Sequence, residues 1–190
     1  MAFIKESYLI EQAKKYISFR ENYIIKTASL AQITIFLCHS HEDKTLAEGF
    51  QNILANYGIK VYIDWQDSKL PESPNRETAG RIKEKIGDLD LFILLATNNS
   101  LSSRWCPWEI GIADSSKNYE DILIVPIVDY SGEFKGNEYL QLYKRIEIDS
   151  LDELLVIEPE FRKYGAILYK SEVSYKSEPF PTFLKRKISR

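Results

Sequence analysis

Ten consecutive residues carry the densest chemistry in this chain: Ser100, Leu101, Ser102, Ser103, Arg104, Trp105, Cys106, Pro107, Trp108 and Glu109. Serines followed by a proline mark the start of a helix, because a first turn leaves unpaired the very N–H that proline lacks. Trp105 and Glu109 stand four residues apart and share one face of that helix. A flat aromatic ring beside a carboxylate, with Ser100 just ahead of them, makes a candidate site for nicotinamide and its ribose. Breaking an N-glycosidic bond to a pyridinium leaving group builds positive charge on the ribose, which a nearby carboxylate stabilises. The expelled nicotinamide is neutral, so one well-placed glutamate suffices and no strong general acid is needed. The macrodipole near a helix N-terminus favours ionised Glu109, which predicts an electrostatic stabiliser or nucleophile rather than a proton donor. The same spacing also describes a plain first-turn acid, with Trp105 and Trp108 as core anchors.

Two further segments place polar groups where ligands bind. Cys38, His39, Ser40, His41, Glu42 and Asp43 follow an apolar run, and both histidines of the chain lie there. Asp43 or Ser40 reads as the cap of the next helix, while His39 and Ser40 line a polar pocket. A metal site from Cys38, His39 and His41 is not expected: adjacent residues at a strand end point in different directions, and no fourth ligand is evident. Asp64, at the end of a second apolar run, either accepts a hydrogen bond from a ribose hydroxyl or fixes its own loop.

These groups need a scaffold, and the chain supplies one from residue 33 onward. Short apolar runs at 33–38, 60–64, 91–96 and 122–128 alternate with amphipathic stretches at 44–57, 77–86 and 105–117, the pattern of a parallel sheet covered by helices on both faces. Gly58 is placed to end the first of those helices. A fifth strand is expected at 145–148, which gives a doubly wound open sheet whose ligands bind outside the carboxyl ends of the strands. Residues 1–30 read as a helical extension, with Tyr8, Leu9, Ala13, Tyr16, Ile17 and Phe19 at roughly helical spacing. The core domain is expected over 31–150 and a C-terminal extension over 151–190, with a short helix at 151–157 and an irregular or partner-dependent tail from 171.

Composition narrows the function classes. A chain of 190 residues with 44% hydrophobic content favours one domain with extensions. The net charge of -3 comes from well-mixed acids and bases, so neither nucleic acid nor an anionic membrane is expected as partner. Two cysteines without a C-x-x-C pair argue against a disulfide framework or zinc ribbon. The first residues interleave Lys5, Glu6, Glu11, Lys14 and Lys15 with apolar positions, unlike a signal peptide, and the expected location is the cytoplasm.

Over residues 33–149 the chain resembles the Toll/interleukin-1 receptor (TIR) family. The resemblance rests on Ile35 to Asp43 (a hydrophobic strand, then Ser40 and Asp43), on Gly58 to Asp64, and on Ser100 to Glu109, in that order. It implies a flavodoxin-like fold and either homotypic interaction in signalling or cleavage of NAD by members with a W-x-x-x-E helix, which Trp105 and Glu109 match residue for residue. NAD is then substrate, with no further cofactor; Trp105, His39, Ser40, Asp64, Trp65 and Ser100 are the candidate substrate contacts. The family's loop after the second strand, here about 66–76, covers the active site and takes part in self-association, with Asp64 and Trp65 at its entrance. Stand-alone bacterial members turn NAD into cyclic or modified ADP-ribose signals in antiphage defence of the Thoeris type, acting as homo-oligomers through TIR–TIR contacts and addressing a separate effector. A phosphorylation-dependent receiver shares the fold but needs an acceptor aspartate after the third strand, where Thr97, Asn98 and Asn99 stand instead.

Overall fold

The run Leu91–Ala96 (β4) contains no polar side chain and is buried along its whole length, as a central parallel strand covered on both faces must be. It pairs in parallel with Thr34–Cys38 (β2) on one side and Ile122–Val128 (β5) on the other. Lys60–Tyr62 (β3) continues the sheet beyond β2, and Lys144–Ile148 (β6) beyond β5, again in parallel. The order β3-β2-β4-β5-β6 is the doubly wound, flavodoxin-like arrangement, with its switch point between β2 and β4. A computed structural model, which describes residues 2–16, 33–68, 71, 75–158 and 176–188, gives these features.

Successive strand residues face opposite sides of the sheet, and each side gathers its own helices. Ile35, Leu37, Ile93 and Leu95 pack against Lys44–Ala55 (α2) through Leu46, Phe50 and Leu54. Phe36, Cys38, Phe92 and Leu94 pack against Arg76–Asp88 (α3) and Cys106–Ser116 (α5) through Ile82, Ile86 and Ile110. Gly58 takes φ 72° just after α2, the left-handed turn that lets the chain leave the helix and enter β3. Among the described residues, no helix is long and apolar enough to cross a membrane.

Both extensions join the sheet. Ile4–Lys5 (β1) lies parallel to the last residues of β5, Ile4 opposite Ile127 and Lys5 opposite Val128, while β6 pairs only with Leu123 and Ile124 of the same strand. Ala2 exchanges backbone hydrogen bonds with Ile148 at the end of β6. The N-terminal segment therefore fills the gap where β5 and β6 splay apart. A two-residue strand leaves no periodicity, and the sequence pattern predicted only helix here. The helix itself, Glu6–Tyr16 (α1), packs on α2; the expectation for residues 17–30 lies outside the described residues.

The C-terminal expectations are corrected. Leu154–Ile157 (β7) is a strand antiparallel to β6, not a helix, and Ser177–Pro179 (β8) adds to it in turn. A four-residue apolar run cannot be assigned by periodicity alone, and here the open edge of β6 decides. Phe180–Ile188 (α6), expected to be irregular, buries Phe180, Phe183 and Leu184 in the core shared with α2. Asn98–Ser102 (α4) forms a separate short helix before α5.

The crossing of α1 and α2 depends on Gly49. A Cβ there would stand 2.0 Å from the carbonyl oxygen of Leu9, backbone that cannot swing away. Gly49→Ala is expected to destabilise the protein by about 3 kcal/mol, the upper range for overpacking. Gly80→Ala, with nothing within 4 Å of the added carbon, should stabilise by about 0.5–1 kcal/mol through helix propensity. Urea melts of the two variants check both signs.

Candidate active site

Asp43 closes the crevice between the ends of β2 and β4. It ends the short turn His41–Asp43, and the structure turns its side chain away from the α2 cap. Its carboxylate instead accepts from Thr97 Oγ1 at 2.5 Å and from Asn99 Nδ2 at 2.7 Å. Ser40 keeps the capping role, its hydroxyl accepting from the Glu42 N–H at 3.4 Å. Thr97 Oγ1 in turn accepts from the Ser100 N–H at 2.9 Å, and Ser100 Oγ accepts from the Thr97 N–H at 2.9 Å and donates to the Thr97 carbonyl at 3.0 Å. Ser100 is 1% exposed, and this capping box occupies its hydroxyl.

Glu109 lies behind this frame on the other face. It is 5% exposed, on the first turn of α5, with the thiol of Cys38 at the end of β2 as a side-chain neighbour. Burial pushes its pKa up to about 7; the Cys38 thiol works against that rise, and the negative charge of Asp64 adds to it. The dipole argument from sequence pointed toward an ionised group, and burial overrides it because desolvation penalises the charged form more than a helix terminus favours it. Burial likewise pushes the Cys38 thiol well up, in contact with both Cys106 and Glu109. Trp105 is the N-cap residue of α5, with its carbonyl accepting from the Glu109 N–H at 2.8 Å. Its half-buried ring meets Trp108 edge-on, with centroids 5.3 Å apart.

His39 and Trp65 meet at the end of β2. Trp65 Nε1 donates to His39 Nε2 at 3.0 Å, and His39 Nδ1 lies 3.1 Å from the Leu37 carbonyl. Those partners fix the neutral tautomer with its proton on Nδ1, and burial lowers the pKa of the ring. Lys44 Nζ lies 5.3 Å from the centroid of the Trp65 ring. Asp64 opens the turn Asp64–Gln66, its carboxylate accepting from the Trp65 N–H at 2.8 Å.

The TIR domain family model matches residues 35–155. The chain belongs to the TIR domain family. A relative from Bacillus cereus (strain MSX-D12), named a probable 3' cyclic ADP-D-ribose synthase ThsB', is 34% identical over 136 residues, 68% of this chain and 70% of the relative.

Within this TIR domain, Glu109, Asp64, His39 and Trp65 gather around the end of β2, and Trp105 stands at the start of the same helix as Glu109. Ser40 and Ser100 are buried in caps. Sequence reasoning missed Thr97 and Asn99, whose only signal was a polar pair following a strand directly beside the first. It also missed Cys38 as the neighbour of Glu109, since nothing local shows that residues 71 positions apart will touch.

The buried glutamate weakens the TIR fold at neutral pH. The unfolded chain loses this proton near the ordinary value of 4.5 and the folded chain near 7. The folded state binds more protons across that window, so stability falls as pH rises through it and then levels off. Glu109→Gln is expected to exceed the native protein by about 3 kcal/mol at pH 8, with the difference vanishing below about pH 4.5. Urea melts across that range measure it.

Proposed function

We propose that this TIR domain cleaves the nicotinamide–ribose bond of NAD and closes the ADP-ribose product into a cyclic signal. The reading is carried by one observation: a glutamate buried at the carboxyl edge of the sheet, on the helix where Trp105 and Glu109 match the W-x-x-x-E pattern. The name of the Bacillus cereus relative supports the same reaction class.

The chemistry follows from what surrounds Glu109. The pyridinium of bound NAD is positive and draws the carboxyl toward its ionised form, against the burial that disfavours that form in the free site. When the bond between ribose carbon and pyridinium nitrogen breaks, the electron pair leaves with neutral nicotinamide and the carboxylate faces the oxocarbenium ion. A hydroxyl of the adenosine ribose then attacks that carbon, forms the new C–O bond and gives its proton to Glu109. A carboxyl with pKa about 7 is matched to that transfer, because a general base works best near the operating pH. Water in place of the hydroxyl would give linear ADP-ribose.

Asp64 is assigned to a ribose hydroxyl and Trp105 to a ring of the substrate; NAD is the substrate and no other cofactor takes part. In keeping with the family resemblance, the domain assembles through TIR–TIR contacts, and its product addresses a separate effector in defence against phage.

Concentrated protein incubated with NAD should release nicotinamide, and Glu109→Gln, nearly isosteric, should reduce the rate by at least about 100-fold. Mass analysis of the second product separates cyclic from linear ADP-ribose. For the native protein kcat/KM should climb as pH increases toward about 7 and then level, since it reports ionisation of the free enzyme. Full turnover by folded Glu109→Gln would overturn the assignment.

A further inference from the structure

Both ring nitrogens of His39 are occupied, one by the Leu37 carbonyl at 3.1 Å and the other by the Trp65 indole at 3.0 Å. His39 is 9% exposed, and its ring has no nitrogen left for substrate or for moving a proton. Its work must pass through Trp65. That indole packs against the core on the α2 side, with Lys44 over its face and its N–H on His39. The exposed amide pair of Gln51 and Gln66, at 3.3 Å, is a second tie from the Asp64–Gln66 turn to α2, and exposure makes it the weaker one. Asp64 belongs to the same turn, bonded to the Trp65 N–H at 2.8 Å, and its charge reaches both Glu109 and His39.

We propose that His39 is a positioning residue: through the Trp65 indole it locks the Asp64–Gln66 turn and so sets where Asp64 stands relative to Glu109. The proposal rests on reading the Glu109 cleft as the NAD site. It assigns His39 a role as a hydrogen-bond acceptor, which only a neutral imidazole or an isosteric carbonyl can fill. Trp65 is the rigid link, held on its face by packing and at its edge by one directional bond.

Four variants of the full chain test this: His39→Leu, which removes the acceptor; His39→Gln, which keeps one; Trp65→Phe, which keeps a ring without the N–H; and the double His39→Leu, Trp65→Phe. In nitrogen–proton spectra the indole signal lost in Trp65→Phe identifies Trp65. It should be protected from solvent exchange in the native protein, exposed in His39→Leu and restored in His39→Gln. The KM for NAD should rise about three- to ten-fold in His39→Leu and in Trp65→Phe, the range of one hydrogen bond, with a smaller change in kcat. The double variant should be no worse than either single one, because both remove the same bond. An indole signal unmoved in His39→Leu, or additive effects on KM, would overturn the proposal. If His39→Leu does not fold, Trp65→Phe against His39→Gln decides the kinetic arm. Absence of NAD turnover by the native protein would overturn the reading of the site, while the indole spectra would still decide the lock.

Discussion

Two hydrogen bonds to one carboxylate hold the functional edge of this molecule together. At the switch point of a doubly wound sheet, the connections from neighbouring strands depart to opposite faces, so nothing in the strand ladder ties β2 to β4 beyond their last paired residues. Asp43 supplies that tie, joining the end of β2 to Thr97 and Asn99 beyond β4. Thr97 then relays the constraint through its capping box into α4, which leads into α5 and Glu109. The chain of contacts is short: its two bonds to the Asp43 carboxylate are charge-assisted and stronger than neutral ones, and the Thr97–Ser100 bonds that follow are buried.

On the proposed reading, Glu109 trades stability for reactivity. A carboxyl 5% exposed beside a thiol is poorly compensated by comparison with one that accepts from backbone N–H groups. The free site holds it between its neutral and ionised forms at neutral pH. On the proposed reading, a positively charged substrate supplies what the protein withholds, which couples ionisation to binding.

The extensions serve the same frame. β1 seals the splay between β5 and β6, and α1 lies on α2 through the close approach at Gly49. β7, β8 and α6 carry the sheet and its core past the residue where the family pattern ends. The helix that begins at Lys44 is thus braced by α1, shares its core with α6, and supplies the face against which Trp65 packs.

The sequence by itself determined the five parallel strands, the helices between them and the carboxyl edge as the place for chemistry. Each of those follows from periodicity and end signals within a few residues, as the fully apolar Leu91–Ala96 and the cap at Gly58 illustrate. It also placed Glu109 four residues after Trp105 at a helix start. Tertiary structure alone raised the pKa of Glu109, because desolvation depends on what the fold stacks over it rather than on its helix. It alone turned Asp43 from a cap into a bridge, and gave both nitrogens of His39 to partners two and 26 residues away. It also made strands of Ile4–Lys5 and Leu154–Ile157, whose few residues carry no period and take their form from the strand edges that receive them.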